Sequence, residues 1–162
     1  MKIAESWLRE WVSPDLDTAA LGHQLTMLGH EVDAIEVEGA GLEGVVIAEV
    51  AEVSKHPDAD KLSLCKVDDG SGDLVDVVCG APNVVKGMKT PFARPGVKLP
   101  NGMKLRKAKI RGVVSNGMLC SAVELGLGDE SDGIMSLGQD AASGTDLIDY
   151  LKLPDAVIDL DL

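Results

Sequence analysis

Nine lysine and arginine side chains lie in one stretch, residues 77–123, that contains no aspartate or glutamate. The chain as a whole is acidic, with a formal net charge of −12, so the remaining residues hold six cations beside all 27 carboxylates. Clustered cations neutralise phosphate groups and release their counterions, which gives affinity for a nucleic acid without reading its sequence. The pattern therefore predicts a positive surface for a polyanion, with a solvated lysine-rich hairpin as the alternative. The nine residues are Lys86, Lys89, Arg94, Lys98, Lys104, Arg106, Lys107, Lys109 and Arg111.

The other reactive side chains do not form a catalytic pattern. No two of the three histidines have the spacing of zinc ligands, and the chain has no C-x-x-C pair. It has neither a G-x-x-x-x-G-K-[ST] phosphate loop nor a G-x-S-x-G nucleophile elbow. Two aspartate pairs, Asp58 with Asp60 and Asp68 with Asp69, suit tight turns, because Asp bonds nearby backbone N–H groups. We therefore expect no catalytic residue, no metal site and no cofactor in this chain.

Three cysteines, Cys65, Cys79 and Cys120, are widely spaced and lie in apolar contexts. An odd number of such residues is typical of inert core thiols in a reducing compartment. The charged N-terminal residues do not resemble a signal peptide, and no apolar run approaches the roughly 18 residues of a membrane span. These features predict a cytoplasmic protein without a membrane partner.

Aromatic side chains are scarce, and this scarcity indicates which kind of polyanion the chain can bind. Trp7, Trp11, Phe92 and Tyr150 are the whole set, and only Phe92 lies in the basic stretch. Barrels that bind single strands stack bases on several aromatic side chains. A folded RNA, recognised by its backbone shape and 2′-hydroxyls, therefore fits better than the alternative of a single-strand DNA protein.

The elements that must position these residues are mainly short strands. From Gly44 onward, alternating apolar residues and Gly, Pro and Asp turns predict strands at 44–53, 61–67, 74–79, 90–94, 97–99 and 104–110. Alternation along the last strand should place Lys104, Arg106 and Ala108 on one face and Leu105, Lys107, Lys109 and Arg111 on the other. Ser121 and Glu124 form a capping box for a short helix. Such strands in about 110 residues predict a small OB-type barrel, with a sandwich as the alternative.

Both ends of the chain have a different pattern. Trp7, Leu8 and Trp11 have helical spacing, and Asp17 can cap a second helix with Leu21, Leu25 and Leu28 on one face. The apolar residues at 32–37, which are interspersed with acidic ones, predict a strand. Residues 145–151 should form a helical turn or two, followed by Ile158, Leu160 and Leu162 in alternation with aspartates, as in a half-buried strand.

The apolar surface of these side chains is larger than the surface that two short helices can bury against each other. Burying an aromatic or Leu side chain is worth about 1.5–3 kcal/mol, so exposed ends would be costly. We expect the tail to dock on the N-terminal helices or to pair with the strand at 31–38, with the barrel inserted between the two ends. Because the chain stops within a strand pattern, we expect a piece of a longer protein, with an incompletely docked and mobile tail.

Three sequence blocks resemble a known family. HPDADKLSLCKVDDG (His56–Gly70), VCGAPNV (Val78–Val84) and KLRKAKIRGVVSNGMLCSAVELGL (Lys104–Leu127) are similar to the tRNA-binding OB domain. Cytokine-like tRNA-binding proteins, some methionyl-tRNA synthetase tails and the bacterial phenylalanyl-tRNA synthetase β subunits share this module. The blocks are long and occur in the family's order.

The residues that flank these blocks favour the bacterial phenylalanyl-tRNA synthetase β subunits among these proteins. Ser6–Val12, Gln24–Asp33 and Ile148–Leu162 resemble N-terminal segments of the β subunits. The resemblance implies a five-stranded OB barrel inserted into a small split α/β domain, in a mainly β fold with short helices. The implied domains are residues 1–39, the N-terminal part of the split domain; 40–151, the tRNA-binding OB domain; and 152–162, the start of its C-terminal part, whose remainder lies beyond this sequence.

The resemblance also implies partners and roles. In that family two α and two β subunits use ATP and magnesium to charge phenylalanine tRNA, with the active site in the α subunit. This chain should supply an accessory tRNA contact and bind no cofactor itself. A stand-alone tRNA-binding chaperone, usually a homodimer, and a purely structural module are the alternatives.

Site residues follow from the K-x-R-G-x-x-S-x-x-M block, which matches the module's RNA-facing region. Met118 has a core position as its alternative role, and Gly112 and Gly117 are expected to serve backbone conformation. The expected tRNA-binding residues are Lys86, Lys104, Arg106, Lys107, Lys109, Arg111, Asn83, Ser115 and Met118.

Overall fold

Short helices flank a long run of strands. The computed structural model describes residues 1–162, of which 1–40 and 152–162 form one compact unit and 41–151 a second. In chain order the elements are β1 (Lys2–Ala4), α1 (Glu5–Trp11), α2 (Thr18–Met27), β2 (Val32–Glu38), β3 (Val45–His56), β4 (Ala59–Asp68), β5 (Leu74–Cys79), β6 (Lys89–Ala93), β7 (Ala108–Ile110), β8 (Val113–Ser115), β9 (Met118–Leu119), α3 (Leu147–Leu151) and β10 (Asp155–Leu160).

The larger unit is built on a five-stranded antiparallel sheet with the strand order β5-β4-β3-β6-β9. Its centre is the twelve-residue strand β3, which pairs with β4 along one edge and with β6 along the other. Val46, Ala48 and Val50 of β3 are buried together with Val67 of β4 and Phe92 of β6 in one hydrophobic cluster. Alternation along the strands thus directs one face of the sheet into the core.

The sheet closes where the β8–β9 connection meets β5. The Val78 amide donates to Ser115 Oγ over 3.0 Å, and the Asn116 amide donates to the Asp76 carbonyl over 2.9 Å. Gly117, at φ +145°, follows at once, and a Cβ there would lie 2.5 Å from the Phe92 ring. Only glycine therefore lets the backbone cross Phe92 so closely. This arrangement confirms the predicted OB-type barrel.

Two predicted elements of the larger unit are wrong in part. The strand expected at 104–110 is regular only in β7, because Leu105 is buried and its backbone bonds to Gly96 and Val97 over 2.8 Å each. The predicted two-face alternation therefore does not hold for residues 104–107. The strand at 97–99 is reduced to an isolated bridge between Lys98 and Lys104.

The capping box at Ser121 and Glu124 is present, but it starts a single helical turn instead of a helix. Glu124 Oε2 accepts from the Ser121 amide over 2.7 Å, and the Glu124 amide donates to Ser121 Oγ over 3.3 Å. The Leu125 amide then donates to the Ser121 carbonyl over 3.3 Å. Gly126, at φ +66°, ends the turn.

The smaller unit is an antiparallel sheet with the strand order β1-β10-β2 and two helices. Ile158 of β10 pairs with Ile3 of β1 and Ile35 of β2, which confirms the predicted pairing of the tail with the strand at 31–38. Leu21 of α2 packs on Ile158 and Leu160. Asp17 caps α2, accepting from the Ala20 amide over 2.8 Å.

Several apolar side chains at the two ends remain exposed, in keeping with the incomplete docking expected from the sequence. Trp7, Trp11, Leu28 and Leu162 keep between 56% and 79% of their surface accessible. Helix α1 turns Leu8 towards the core, while its aromatic side chains lie on other sides of the helix. Leu162 lies beyond the end of β10 and has no partner strand.

Replacing Ser115 tests whether this residue holds the barrel closed. Ser115→Ala leaves the buried Val78 amide without its acceptor, so the free energy of unfolding should fall by about 1–3 kcal/mol. Urea denaturation followed by circular dichroism measures the change. Ser136→Ala, at an exposed serine, is the control and should stay within about 0.5 kcal/mol of the parent. Equal stability of the two variants would contradict this role.

Candidate nucleic-acid interface

Two of the nine cations in the basic stretch are held by ion pairs inside the larger unit. Lys89 Nζ lies 2.7 Å from Glu49 Oε2, and Arg94 Nε lies 2.7 Å from Asp69 Oδ2. Burial by itself raises the pKa of Asp69, but hydrogen bonds from Ser71 and Arg94 outweigh it and hold the pKa below its ordinary value. Arg94 therefore neutralises a buried carboxylate, and this ion pair competes with any outside partner.

The other seven cations are exposed and form no salt bridge. We call them the basic surface: Lys86, Lys98, Lys104, Arg106, Lys107, Lys109 and Arg111. Lys98 and Lys104 face each other across an isolated antiparallel bridge. Like charges directly opposite one another are destabilising, and an anion between them removes that repulsion. The unpaired charges make this region suited to phosphate groups.

A two-residue turn places Arg111 at the tip of the β7–β8 hairpin. Ile110 pairs with Val113, so Arg111 and Gly112 are the two turn residues, with φ of +50° and +89°. Positive φ at both positions is the signature of a type I′ turn, which matches the right-handed twist of the strands. Lys109 pairs with Val114, and both side chains are exposed on the outer face. The hairpin thus presents two cations in a fixed arrangement.

His56 anchors this hairpin to the turn between β3 and β4. Its Nδ1 accepts from the Asp58 amide over 3.0 Å, so the proton of the neutral ring lies on Nε2. Nε2 then donates to the Ile110 carbonyl over 3.1 Å, one residue from Arg111. The ring is 5% exposed, so solvent does not compete for these bonds. His56 therefore fixes the position of the hairpin and is itself shielded from a partner.

Three neutral residues predicted to bind tRNA occupy different environments. Ser115 is buried, and its hydroxyl accepts from Val78 and donates to the Gly117 carbonyl over 3.0 Å. The Asn83 amide group exchanges two hydrogen bonds with the backbone of Ile134, over 2.8 and 3.0 Å. Both side chains use their polar groups inside the protein. Met118 is partly exposed on β9.

Sequence reasoning overlooked two residues of this region. Lys98 belongs to the basic stretch but not to the expected binding set, although it lies opposite Lys104. His56 begins one of the family blocks but is not an expected site residue, whereas its ring bonds a backbone 54 residues further along the chain. The histidine within the HPDADKL block was the available signal, but its partner is not visible in the sequence.

The remaining titratable groups form no second centre of reactivity. All three cysteines are free and buried, and burial raises the pKa of Cys65 to about 11 and that of Cys120 to about 12. The thiols therefore stay protonated and weakly nucleophilic at neutral pH. No three His, Cys, Asp or Glu side chains are grouped to hold a metal ion. None of the three helices has the length and hydropathy that crossing a membrane requires.

Comparison with known proteins identifies the larger unit. The family described as "Putative tRNA binding domain" matches residues 45–146, more than half of the chain. The C-terminal domain of Plasmodium vivax p43 is a similar solved structure, with 21% identity, a TM-score of 0.45 and coverage of 62% of this chain and 56% of that one.

Similar proteins also match the whole chain. It is 56% identical over 162 residues to the phenylalanine–tRNA ligase β subunit of Shewanella oneidensis, 55% to that of Hahella chejuensis and 53% to that of Pseudoalteromonas translucida. Each match covers all of this chain and 20% of the relative, so the chain spans about a fifth of the length of the curated relatives it matches. With the family match over residues 45–146, the chain belongs to the tRNA-binding domain family.

Proposed function

We propose that this chain binds tRNA through the basic surface, as an accessory segment of a phenylalanine–tRNA ligase β subunit. The observation that carries the proposal is the set of seven exposed, unpaired cations on a protein whose net charge is −12. Family membership and the β-subunit relatives support tRNA as the polyanion.

The proposed contacts are made mainly to the RNA backbone. Lys109 and Arg111 reach phosphates from the hairpin, and Lys104, Arg106 and Lys107 extend the track along the preceding loop. Lysine supplies a mobile point charge, whereas the planar guanidinium of arginine can engage a phosphate through two parallel N–H bonds. Ser115 and Asn83 act through the backbone segments that they hold in place. Such contacts give affinity and register but little sequence information.

A folded RNA suits this surface better than a single strand. Phe92 is fully buried, and the only other aromatic residue of the larger unit, Tyr150, donates its hydroxyl to Asp140 over 2.9 Å. With one of its two aromatic residues buried, the unit lacks the row of exposed aromatic faces on which single-strand binders stack bases. The rigid backbone of a folded tRNA presents phosphates at fixed spacings that fixed cations can match.

The similar phenylalanine–tRNA ligase β subunits are the basis for proposing which enzyme this chain is part of. That enzyme would pair this subunit with an α subunit in an α2β2 assembly in the cytoplasm, where the three free thiols would remain reduced. Residues 1–40 and 152–162 would belong to a split domain completed by later residues of the full chain. ATP and magnesium would act elsewhere in the enzyme, because this chain groups no residues that fit a metal ion.

The binding should be weak, electrostatic and dependent on the hairpin cations. Each phosphate contact adds about 0.7–0.9 to the steepness with which log K falls against log salt concentration. Lys109→Glu should lower tRNA affinity and reduce that slope by about 1. Fluorescence anisotropy with labelled tRNA across a salt series measures both quantities.

The matched control for this variant is Lys152→Glu, which changes the charge equally at an exposed lysine without a salt bridge outside the larger unit. Its affinity should remain that of the parent. Affinity that does not depend on salt, or an equal loss in the two variants, would contradict the basic surface as the binding site. Either result would instead favour a purely structural role for this segment.

Folded tRNA should compete better than single-stranded DNA. Labelled tRNA bound to this chain is displaced with unlabelled tRNA or with a poly-dT oligomer of the same length at one salt concentration. We expect tRNA to be the stronger competitor, because the larger unit has few aromatic side chains for unstacked bases, whereas a folded RNA presents phosphates at fixed spacings to its cations. Equal or better competition by poly-dT would argue for a single-strand binder.

The chain alone should catalyse no aminoacylation step. ATP–pyrophosphate exchange with phenylalanine should stay at background with this chain, because it has no phosphate loop or nucleophile–base pair. Exchange should appear when an α subunit is supplied together with a full-length β subunit. Exchange by the purified chain alone would contradict the accessory role.

A further inference from the structure

A partly open cavity of about 450 Å³ lies beside the basic surface. Its walls are the end of β5, the loop that leads into β7, strand β9 and residues 131–134. Pockets of roughly 300–1,000 Å³ with apolar walls and few polar groups are typical of small-ligand sites. Neither the phosphate contacts nor the closure of the barrel accounts for this space.

The cavity has an apolar wall and a polar rim. Val78, Leu105 and Met118 contribute apolar lining. The charged residues of the lining are Arg106, Glu124 and Asp132. Arg106 is exposed and forms no salt bridge. The combination suits a flat ligand that has apolar faces, a hydrogen-bonding edge and an attached anion.

Only one oxygen of the Glu124 carboxylate accepts hydrogen bonds within the protein. Its Oε2 accepts from both the amide and the hydroxyl of Ser121, over 2.7 and 3.0 Å. Its Oε1 has no hydrogen bond within the protein, although Glu124 lines the cavity. The capping box therefore fixes the side chain while one acceptor atom stays free. An N–H donor of a ligand is its natural partner.

We propose that this cavity receives one unstacked nucleotide of the bound RNA. This inference rests on the proposed function. The base packs on Met118 and its apolar neighbours, its exocyclic amino group donates to Glu124 Oε1, and its phosphate meets Arg106. Thioether sulfur makes favourable contacts with aromatic rings, so Met118 can replace the missing aromatic platform. Adenine, cytosine and guanine carry an exocyclic amino group, whereas uracil places a carbonyl oxygen there that repels the carboxylate.

Methyl NMR on the chain with labelled methionines tests the proposal. AMP, CMP, GMP and UMP are titrated separately, and the Met118 signal is assigned with Met118→Leu. The three amino-bearing nucleotides should shift the Met118 methyl signal, with affinities roughly tenfold above that of UMP. Met27, in the smaller unit, is the internal control and should not move.

Glu124→Gln provides a variant that keeps the fold. Glutamine also satisfies the capping box, since its carbonyl oxygen can accept from Ser121. Its NH₂ group then occupies the free position and presents donors in place of an acceptor. The preference should therefore reverse, with UMP binding better than AMP or CMP. An unchanged preference in this variant, or equal binding of all four nucleotides to the parent, would overturn the role of Glu124.

The remaining outcomes separate the cavity from the basic surface. If no nucleotide moves Met118 while tRNA still binds with the expected salt dependence, the cavity proposal is wrong and tRNA binding stands. If neither nucleotides nor tRNA bind, both proposals fail. Met118 shifts that Lys109→Glu leaves intact, together with weaker tRNA binding in that variant, would support both.

Discussion

Closure of the barrel at residues 115–117 is the constraint on which the rest of the larger unit depends. Ser115 supplies the acceptor for Val78, and Gly117 lets the backbone cross Phe92 without displacing the largest buried side chain. The hairpin leads directly into this junction, and the cavity lies against it. A side chain at Gly117 would push the strand away from Phe92, so the positions of the hairpin and of the cavity both depend on this close approach.

The basic surface can attract a polyanion although the protein is acidic, because screening makes binding local. At physiological ionic strength the Debye length is about 8 Å, so distant carboxylates contribute little at the hairpin. Nearby carboxylates matter most, and those that share a cavity with Arg106 are Glu124 and Asp132. The overall negative charge still opposes random encounters with polyanions, which leaves binding dependent on a correct fit.

Local patterns predict most of the strands and the capping box, because each depends on neighbouring residue types. The pairing of the two ends is a long-range contact, which follows instead from apolar side chains that neither end can bury alone. The failures have distant causes. Leu105 bonds backbone at 96–97, which turns a predicted strand into a loop. Lys89 and Arg94 look free in the sequence, but their partners lie 40 and 25 residues away. Ser115 looks like a ligand, although its hydroxyl is committed to Val78, 37 residues earlier.

The turn at the hairpin tip holds a charged residue in an unfavourable backbone conformation. Type I′ turns favour Asn or Gly at both positions, because a left-handed conformation costs an ordinary residue about 1–2 kcal/mol. Arg111 nevertheless occupies the first position at φ +50°, next to a carbonyl held by buried His56. Packing does not explain this choice, since the side chain is exposed and forms no salt bridge. Strained residues persist where the surrounding structure holds them, and here the bond from His56 to the Ile110 carbonyl fixes the residue next to the turn.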